Sequence, residues 1–161
     1  MKDFEKVLLN AMIYGYGVML SKCPPSEIEN ISREIGSNLI SYLKEFGMEF
    51  RESDTVEDTV ANIISSFVEK GFVEDVIIDP TTEKGMYCKW VNLVGIEAFS
   101  RLYRETGSAF ISCPLSMIVM AVIGPMGYRV RVNDIRFDLE SKVAETWEDF
   151  EMKRVRMAVR G

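Results

Sequence analysis

The chain has 161 residues, of which 47% are hydrophobic, and it carries a formal net charge of −6. This length and apolar content predict one folded domain over residues 1–161 and exclude a disordered chain. The acidic balance argues against a nucleic-acid partner, because phosphate binding requires clustered basic side chains.

The cysteine and histidine content limits the chemistry that the chain can perform. Its cysteines are Cys23, Cys88 and Cys113, which form no CxxC motif and predict free thiols in a reducing, cytoplasmic setting. The absence of histidine excludes Ser-His and Cys-His catalytic pairs and histidine metal ligands. No GxGxxG or GxxxxGK motif is present. The sequence therefore favours a non-enzyme, although catalysis by carboxylates, thiols or tyrosines stays open.

The first element predicted along the chain is an apolar helix over residues 4–21, whose hydrophobic residues recur close to a helical period. Its apolar stretch, residues 7–20, is too short to cross a bilayer and lacks the cleavage pattern of a signal peptide. We therefore expect no membrane span. The apolar surface predicts burial in the core or in a homodimer interface.

Two amphipathic helices are predicted next. The stretch PPSEIENISREIGSNLISYLKEFG carries apolar residues on one face and stops at Gly47, and Ser26 and Glu29 have the spacing of a capping box. A third helix begins at Asp54 or Thr55, either of which can cap it, and stops at Gly71.

The pattern then changes to short segments that are rich in β-branched and aromatic residues. FVEDVIID and GMYCKWVNL, residues 72–79 and 85–93, predict a hairpin with PTTEKG as its turn. Alternation along the second segment places Met86, Cys88 and Trp90 on one face. Two further helices follow, from Ile96 to near Gly107 and from Pro114 to Ile123.

The last part of the chain predicts a second hairpin. Its first strand is predicted over residues 127–134, GYRVRVND, where apolar and polar residues alternate. The second is predicted over residues 149–159, DFEMKRVRMAV, where a bulge at Lys153 and Arg154 would keep the apolar side chains on one face. The acidic stretch 138–151 is interpreted as a solvated loop with no isolated carboxylate on an apolar face. The element order predicts an α+β fold of about five helices packed on a four-stranded antiparallel sheet.

The stretch SCPLSMIVMAVIGPMGYRVRV, residues 112–132, carries a resemblance to a known family. Together with the LLNAMIYGYGVML helix and the helix that contains Gly36, it resembles the 4-vinyl reductase (hydrocarbon-binding) domain family, a relative of the Bet-type subunits of vesicle-tethering complexes. Members of that family place a small residue or a cysteine before an apolar helix, followed by a glycine and a GYxVxV strand. The resemblance covers nearly the whole chain in element order.

The resemblance implies a homodimer that binds a hydrophobic small molecule in a pocket between the helices and the sheet, as a sensor or carrier module. A reductase acting on a tetrapyrrole-like ring and a non-catalytic assembly subunit are the alternatives. The Met-rich helix and its aromatic neighbours suit an apolar pocket, although ordinary core packing is the more common role for a cysteine such as Cys113 and for methionines in a helix. The predicted ligand-binding residues are Cys88, Trp90, Phe99, Tyr103, Cys113, Met117 and Met120.

The same resemblance raises the question of zinc. Ligand-sensing family members hold zinc by a cysteine before the helix, an acidic residue in the next strand and two later cysteines. Cys113 and Asp134 match the first two positions, but residues 137–161 contain no cysteine. Because a structural zinc site needs four ligands, only Cys88 or a carboxylate such as Asp138 or Glu140 could extend this incomplete set. We therefore expect no stoichiometric zinc, and no other cofactor is implied.

Overall fold

The computed structural model describes residues 2–153, and these form five helices and a four-stranded antiparallel sheet. This architecture confirms the predicted α+β class and the predicted order of helices and hairpins. No helix in this part of the chain is long and apolar enough to cross a membrane. In chain order the elements are α1 (Lys2–Ser21), α2 (Pro25–Lys44), α3 (Val56–Glu69), β1 (Asp75–Thr82), β2 (Gly85–Val91), α4 (Ile96–Thr106), α5 (Pro114–Ile123), β3 (Tyr128–Asp138) and β4 (Val143–Met152).

The sheet has the strand order β1-β2-β4-β3, so β4 lies inside the sheet and β3 at its edge. Side chains of one face pack into the core with the helices, and we call this the inner face. As predicted, Met86, Cys88 and Trp90 share that face, and all three are buried. A bulge in β3 leaves Asn133 without a partner on β4, because Val132 pairs with Glu148 and the next pair is Asp134 with Trp147.

The second hairpin corrects the prediction of a solvated loop over residues 138–151. Most of that stretch is β4, and the connection between the strands is only residues 139–142. The acidic strand is stable because β2 and β3 pair with its backbone from both sides. Of the strand predicted over residues 149–159, the structure describes only the part up to Lys153. The bulge predicted at Lys153 and Arg154 therefore lies partly outside the described residues.

Of the two predicted helix caps, the structure confirms one and contradicts the other. Thr55 caps α3 as predicted, accepting a hydrogen bond from the backbone N–H of Asp58 at 3.1 Å. The capping box of Ser26 and Glu29 was wrong, because Pro24 is the N-cap of α2 and no side chain caps that helix end. The proline that follows fixes the helical backbone and places Ser26 inside the first turn.

The first hairpin also has a shorter turn than predicted. β1 continues beyond the predicted strand end as far as Thr82, after an irregularity that follows Asp79, and only residues 83–84 connect it to β2. PTTEKG is therefore mostly strand.

Two close contacts illustrate how the helices are held together. A Cβ atom on Gly36 of α2 would lie 2.0 Å from the carbonyl oxygen of Met117 on α5, so only glycine allows this approach of the two backbones. On the other side of the molecule α1 packs on α4, where Asn10 Oδ1 accepts a hydrogen bond from the backbone N–H of Ala98 at 3.1 Å. The position of α5 therefore depends on a residue of α2.

We expect Gly36→Ala to lower the free energy of unfolding by on the order of 2–3 kcal/mol, because the added methyl group forces α2 and α5 apart. Gly15→Ala on α1 is the matched control, since no atom lies within 4 Å of a Cβ built there. That control should be neutral or gain up to about 1 kcal/mol from helix propensity. Urea denaturation of both variants measures the difference, and equal stability would contradict the close packing.

Candidate functional site

A cavity of about 470 Å³ lies between the helices and the inner face of the sheet. Its walls come from α2, α3, α5, the loop of residues 107–111 and strands β2, β3 and β4. Most lining side chains are apolar, and the polar ones are Ser108, Ser116 and Glu148. The apolar lining includes Val60, Ile64, Trp90, Val119, Met120 and Ile135.

Trp90 and Met120 are the predicted ligand-binding residues that lie in the cavity wall. The indole N–H of Trp90 donates a hydrogen bond to the hydroxyl oxygen of Thr146 at 2.9 Å, which fixes the orientation of the ring. Met120 of α5 is half-buried and lines the cavity. Trp90 of β2 and Met120 of α5 therefore both contribute to the cavity wall.

The other predicted ligand-binding residues are not among the lining side chains. Phe99 is fully buried behind the wall, with its ring centroid 5.3 Å from that of Phe110, which does line the cavity. Met117 is buried, with its carbonyl oxygen at the contact with Gly36. Tyr103 is 39% exposed, and its ring lies 6.1 Å from that of Phe137.

The two predicted thiols are buried in the core. Cys88 is fully buried and Cys113 is 2% exposed, and burial raises the pKa of both thiols above the ordinary value for cysteine. Both are therefore protonated at neutral pH. Neither has the exposed thiolate character that a reactive cysteine requires.

Cys113 and Asp134 do not fit a common zinc site. Cys113 packs in the core on the helix side, whereas Asp134 pairs with Trp147 on the outer face of the sheet. There Lys84 donates a hydrogen bond to Asp134 at 3.1 Å, and this bond lowers the pKa of the carboxyl group. No group of three or more potential metal ligands occurs within residues 2–153.

Glu148 is a charged residue of the cavity lining that was not among the predicted site residues. It lies on the inner face of β4 between Met86 of β2 and Val132 of β3, so its cross-strand neighbours are both apolar. The side chain is half-buried and keeps part of its surface open to the cavity. Burial raises the pKa of Glu148 to about 7, and the Thr146 hydroxyl offsets only part of that effect.

The remaining acidic residues of β4 lie on the outer face and have partners. Glu145 accepts a hydrogen bond from the Tyr87 hydroxyl at 2.6 Å, which raises the pKa of that tyrosine to about 12. Arg131 pairs with Asp149 at 3.4 Å and with Glu151 at 2.8 Å. Within residues 2–153, by contrast, Glu148 forms no ion pair.

The expectation that no isolated carboxylate lies on an apolar face was therefore wrong. The wrong expectation followed from interpreting residues 138–151 as a loop, because side chains alternate between two faces only in a strand. Read as a strand, the stretch VAETWEDF places Ala144, Thr146 and Glu148 on one side and Glu145, Trp147 and Asp149 on the other. Small and apolar neighbours at alternate positions are the signal that could have identified Glu148.

Comparisons with protein families, with curated proteins and with solved structures found no match. The resemblance to the 4-vinyl reductase domain family therefore stays a prediction that rests on the motifs quoted above.

Glu148 should make the protein less stable as the pH rises. The folded state keeps a proton on this carboxyl up to about pH 7, whereas an unfolded glutamate releases it near pH 4.3. Between these values the folded state binds more protons, so the free energy of unfolding falls with increasing pH. Glu148→Gln removes this pH dependence and should be more stable than the parent at pH 8, by on the order of 2 kcal/mol. The difference in stability should be largely gone near pH 4.5.

Urea denaturation across this pH range measures the effect. Asp149→Asn is the control, because it removes a neighbouring carboxylate of the same strand from the outer face. Its stability relative to the parent should not rise between pH 4.5 and pH 8. A Glu148→Gln variant that is less stable than the parent at pH 8 would show that the carboxylate is well compensated in the folded state.

Proposed function

We propose that this protein binds a hydrophobic small molecule in the cavity beneath α5, as a sensor or carrier module. The observation that carries the proposal is the cavity itself, about 470 Å³ in volume and lined mainly by apolar side chains. Ligand sites typically have volumes of about 300 to 1,000 Å³ with few polar groups. Protein interiors are otherwise packed with few voids larger than a water molecule.

The walls on both sides of the cavity have fixed positions. Trp90 is oriented by its hydrogen bond to Thr146, and α5 is positioned by the backbone contact at Gly36. A ligand would thus enter a site that is largely formed before binding, which reduces the entropic cost of association. The resemblance to the hydrocarbon-binding 4-vinyl reductase domains points to the same class of ligand.

Filling the cavity with a larger side chain should compete with ligand. We expect the parent to bind N-phenyl-1-naphthylamine, an uncharged apolar fluorophore, and Met120→Trp to bind it more weakly with little change in melting temperature. Met120 lines the cavity, so the indole ring can occupy ligand space without displacing core atoms. Fluorescence titration and thermal denaturation of the same samples measure the two effects.

Ile77→Trp is the control for this experiment, because Ile77 is 52% exposed on β1 and is not a lining residue. It should bind the fluorophore as the parent does. If the parent binds no apolar probe and Met120→Trp melts clearly lower, the site is ordinary core, in which overpacking costs roughly 1–3 kcal/mol. That result would remove the ligand-binding proposal.

We also propose that the protein forms a homodimer through α1. This helix exposes large apolar side chains at helical spacing, and residues 7–21 include no charged side chain. The exposed residues extend over about 22 Å of helix. A second copy of the chain can pack against this surface, because two copies of one uncharged surface meet around a twofold axis without like-charge repulsion. The residues of this surface are Phe4, Leu8, Met12, Tyr16 and Met19.

The double substitution Met12→Glu and Met19→Glu should convert the dimer to a folded monomer in sedimentation equilibrium. Both side chains are exposed in the single chain, at 45% and 64%, so the charges should disturb the interface and not the core. Val18 is unsuitable for this test because it packs against the core. Ile77→Glu, an equally exposed apolar residue on the sheet, should remain dimeric. A parent that sediments as a monomer, or a double variant that stays dimeric, would overturn this interface.

A further inference from the structure

We propose that the ligand of the cavity is an apolar molecule that carries one basic amine, and that Glu148 forms the ion pair with this amine. This inference rests on the proposed function, since it names the chemistry of the molecule that the cavity would hold. It is carried by the placement of Glu148, the one carboxylate that residues 2–153 contribute to the lining, within a mainly apolar wall. A purely hydrocarbon ligand would leave that carboxylate without a partner.

The location of Glu148 determines which ligands it would favour. Among residues 2–153 the lining includes no lysine and no arginine, and its other polar side chains are the uncharged Ser108 and Ser116. An ionised carboxylate in apolar surroundings is costly unless a cation compensates its charge. A ligand ammonium group would supply that charge, whereas a ligand carboxylate would be repelled. An uncharged alcohol could accept or donate one hydrogen bond but would leave the charge uncompensated.

The arrangement of charge across the sheet supports the same conclusion. On the outer face, Asp149 and Glu151 pair with Arg131, so the neighbouring basic side chain of β3 is engaged on the opposite side from the cavity. The cross-strand neighbours of Glu148 on its own side are Met86 and Val132. No ion pair of this carboxylate is formed within residues 2–153, and the counter-ion that we propose for it is the ammonium group of a bound molecule.

Amine binding should depend on pH through Glu148. The charge of Glu148 acts on the buried thiols of Cys88 and Cys113, and these stay protonated because burial raises their pKa. An alkylamine keeps its proton up to about pH 10, like the lysine side chain. Burial raises the pKa of Glu148 to about 7, so the carboxylate form that binds the amine becomes dominant above neutral pH. Amine affinity should thus rise as the pH increases, while the affinity for a neutral ligand should not change.

The experiment uses three ligands with the same alkyl chain, namely decylamine, decan-1-ol and decanoate, below their micelle concentrations. At pH 8 we expect decylamine to bind roughly tenfold or more tightly than decan-1-ol in calorimetric titration, with decanoate the weakest. In Glu148→Gln this preference should disappear, while the affinity for decan-1-ol stays within about twofold of the parent. Asp149→Asn, which removes a carboxylate from the outer face, should keep the preference.

A second measurement on the parent protein keeps the test independent of the variants. Decylamine should bind about tenfold more weakly at pH 6 than at pH 8, and decan-1-ol equally at both. Equal binding of the amine and the alcohol, or a preference that survives in Glu148→Gln, would overturn the amine proposal and leave the cavity as a site for neutral ligands. If none of the three ligands binds, the proposed function fails, and the amine proposal fails with it.

Discussion

The burial of α5 is the constraint on which the rest of the structure depends. Residues 114–123 contain no charged side chain, so this helix must be covered on several sides. α2 covers one side, and the absence of a side chain at Gly36 lets its backbone touch α5 at Met117. This contact determines where α5 lies relative to the inner face of the sheet. The space left between them is the cavity, so helix packing and the proposed binding site have a common origin.

Glu148 lies in the wall of that cavity, where ionisation of its carboxyl group is unfavourable. Most acidic residues of the second hairpin lie on the outer face among arginine and lysine side chains, where ion pairs are solvated and cost little. Glu148 lies between apolar residues of two neighbouring strands, and its pKa is raised because ionising a buried carboxyl group is unfavourable. Carboxyl groups with such shifts occur preferentially at binding and catalytic sites, because folding alone gains nothing from them. In the proposed function, stability and ligand choice are therefore linked through one side chain.

Much of the fold could be predicted from the sequence, and the site only in part. The helices and the first hairpin have local hydrophobic periods, which need no knowledge of distant residues. Residues 143–152 mix acidic, aromatic and small side chains on both faces of the strand, so their periodicity is weak. Trp90 was predicted from the alternation of its strand, whereas Met120 was predicted because it belongs to a Met-rich apolar helix. Glu148 was missed because its acidic neighbours resemble a solvated loop, and only pairing with β2 and β3 reveals its face.

The local pattern of apolar and polar residues was sufficient to determine the α+β class, the number and order of the helices and strands, and the inward face of β2. The tertiary structure alone decided that β4 lies between β2 and β3, that Met120 faces the cavity while Met117 packs at α2, and that one carboxylate enters an apolar wall. The physical reason is that helix and strand periods depend on neighbouring residues. The shape of a cavity and the cost of a charge within it depend instead on side chains that are far apart in the sequence and meet only after folding.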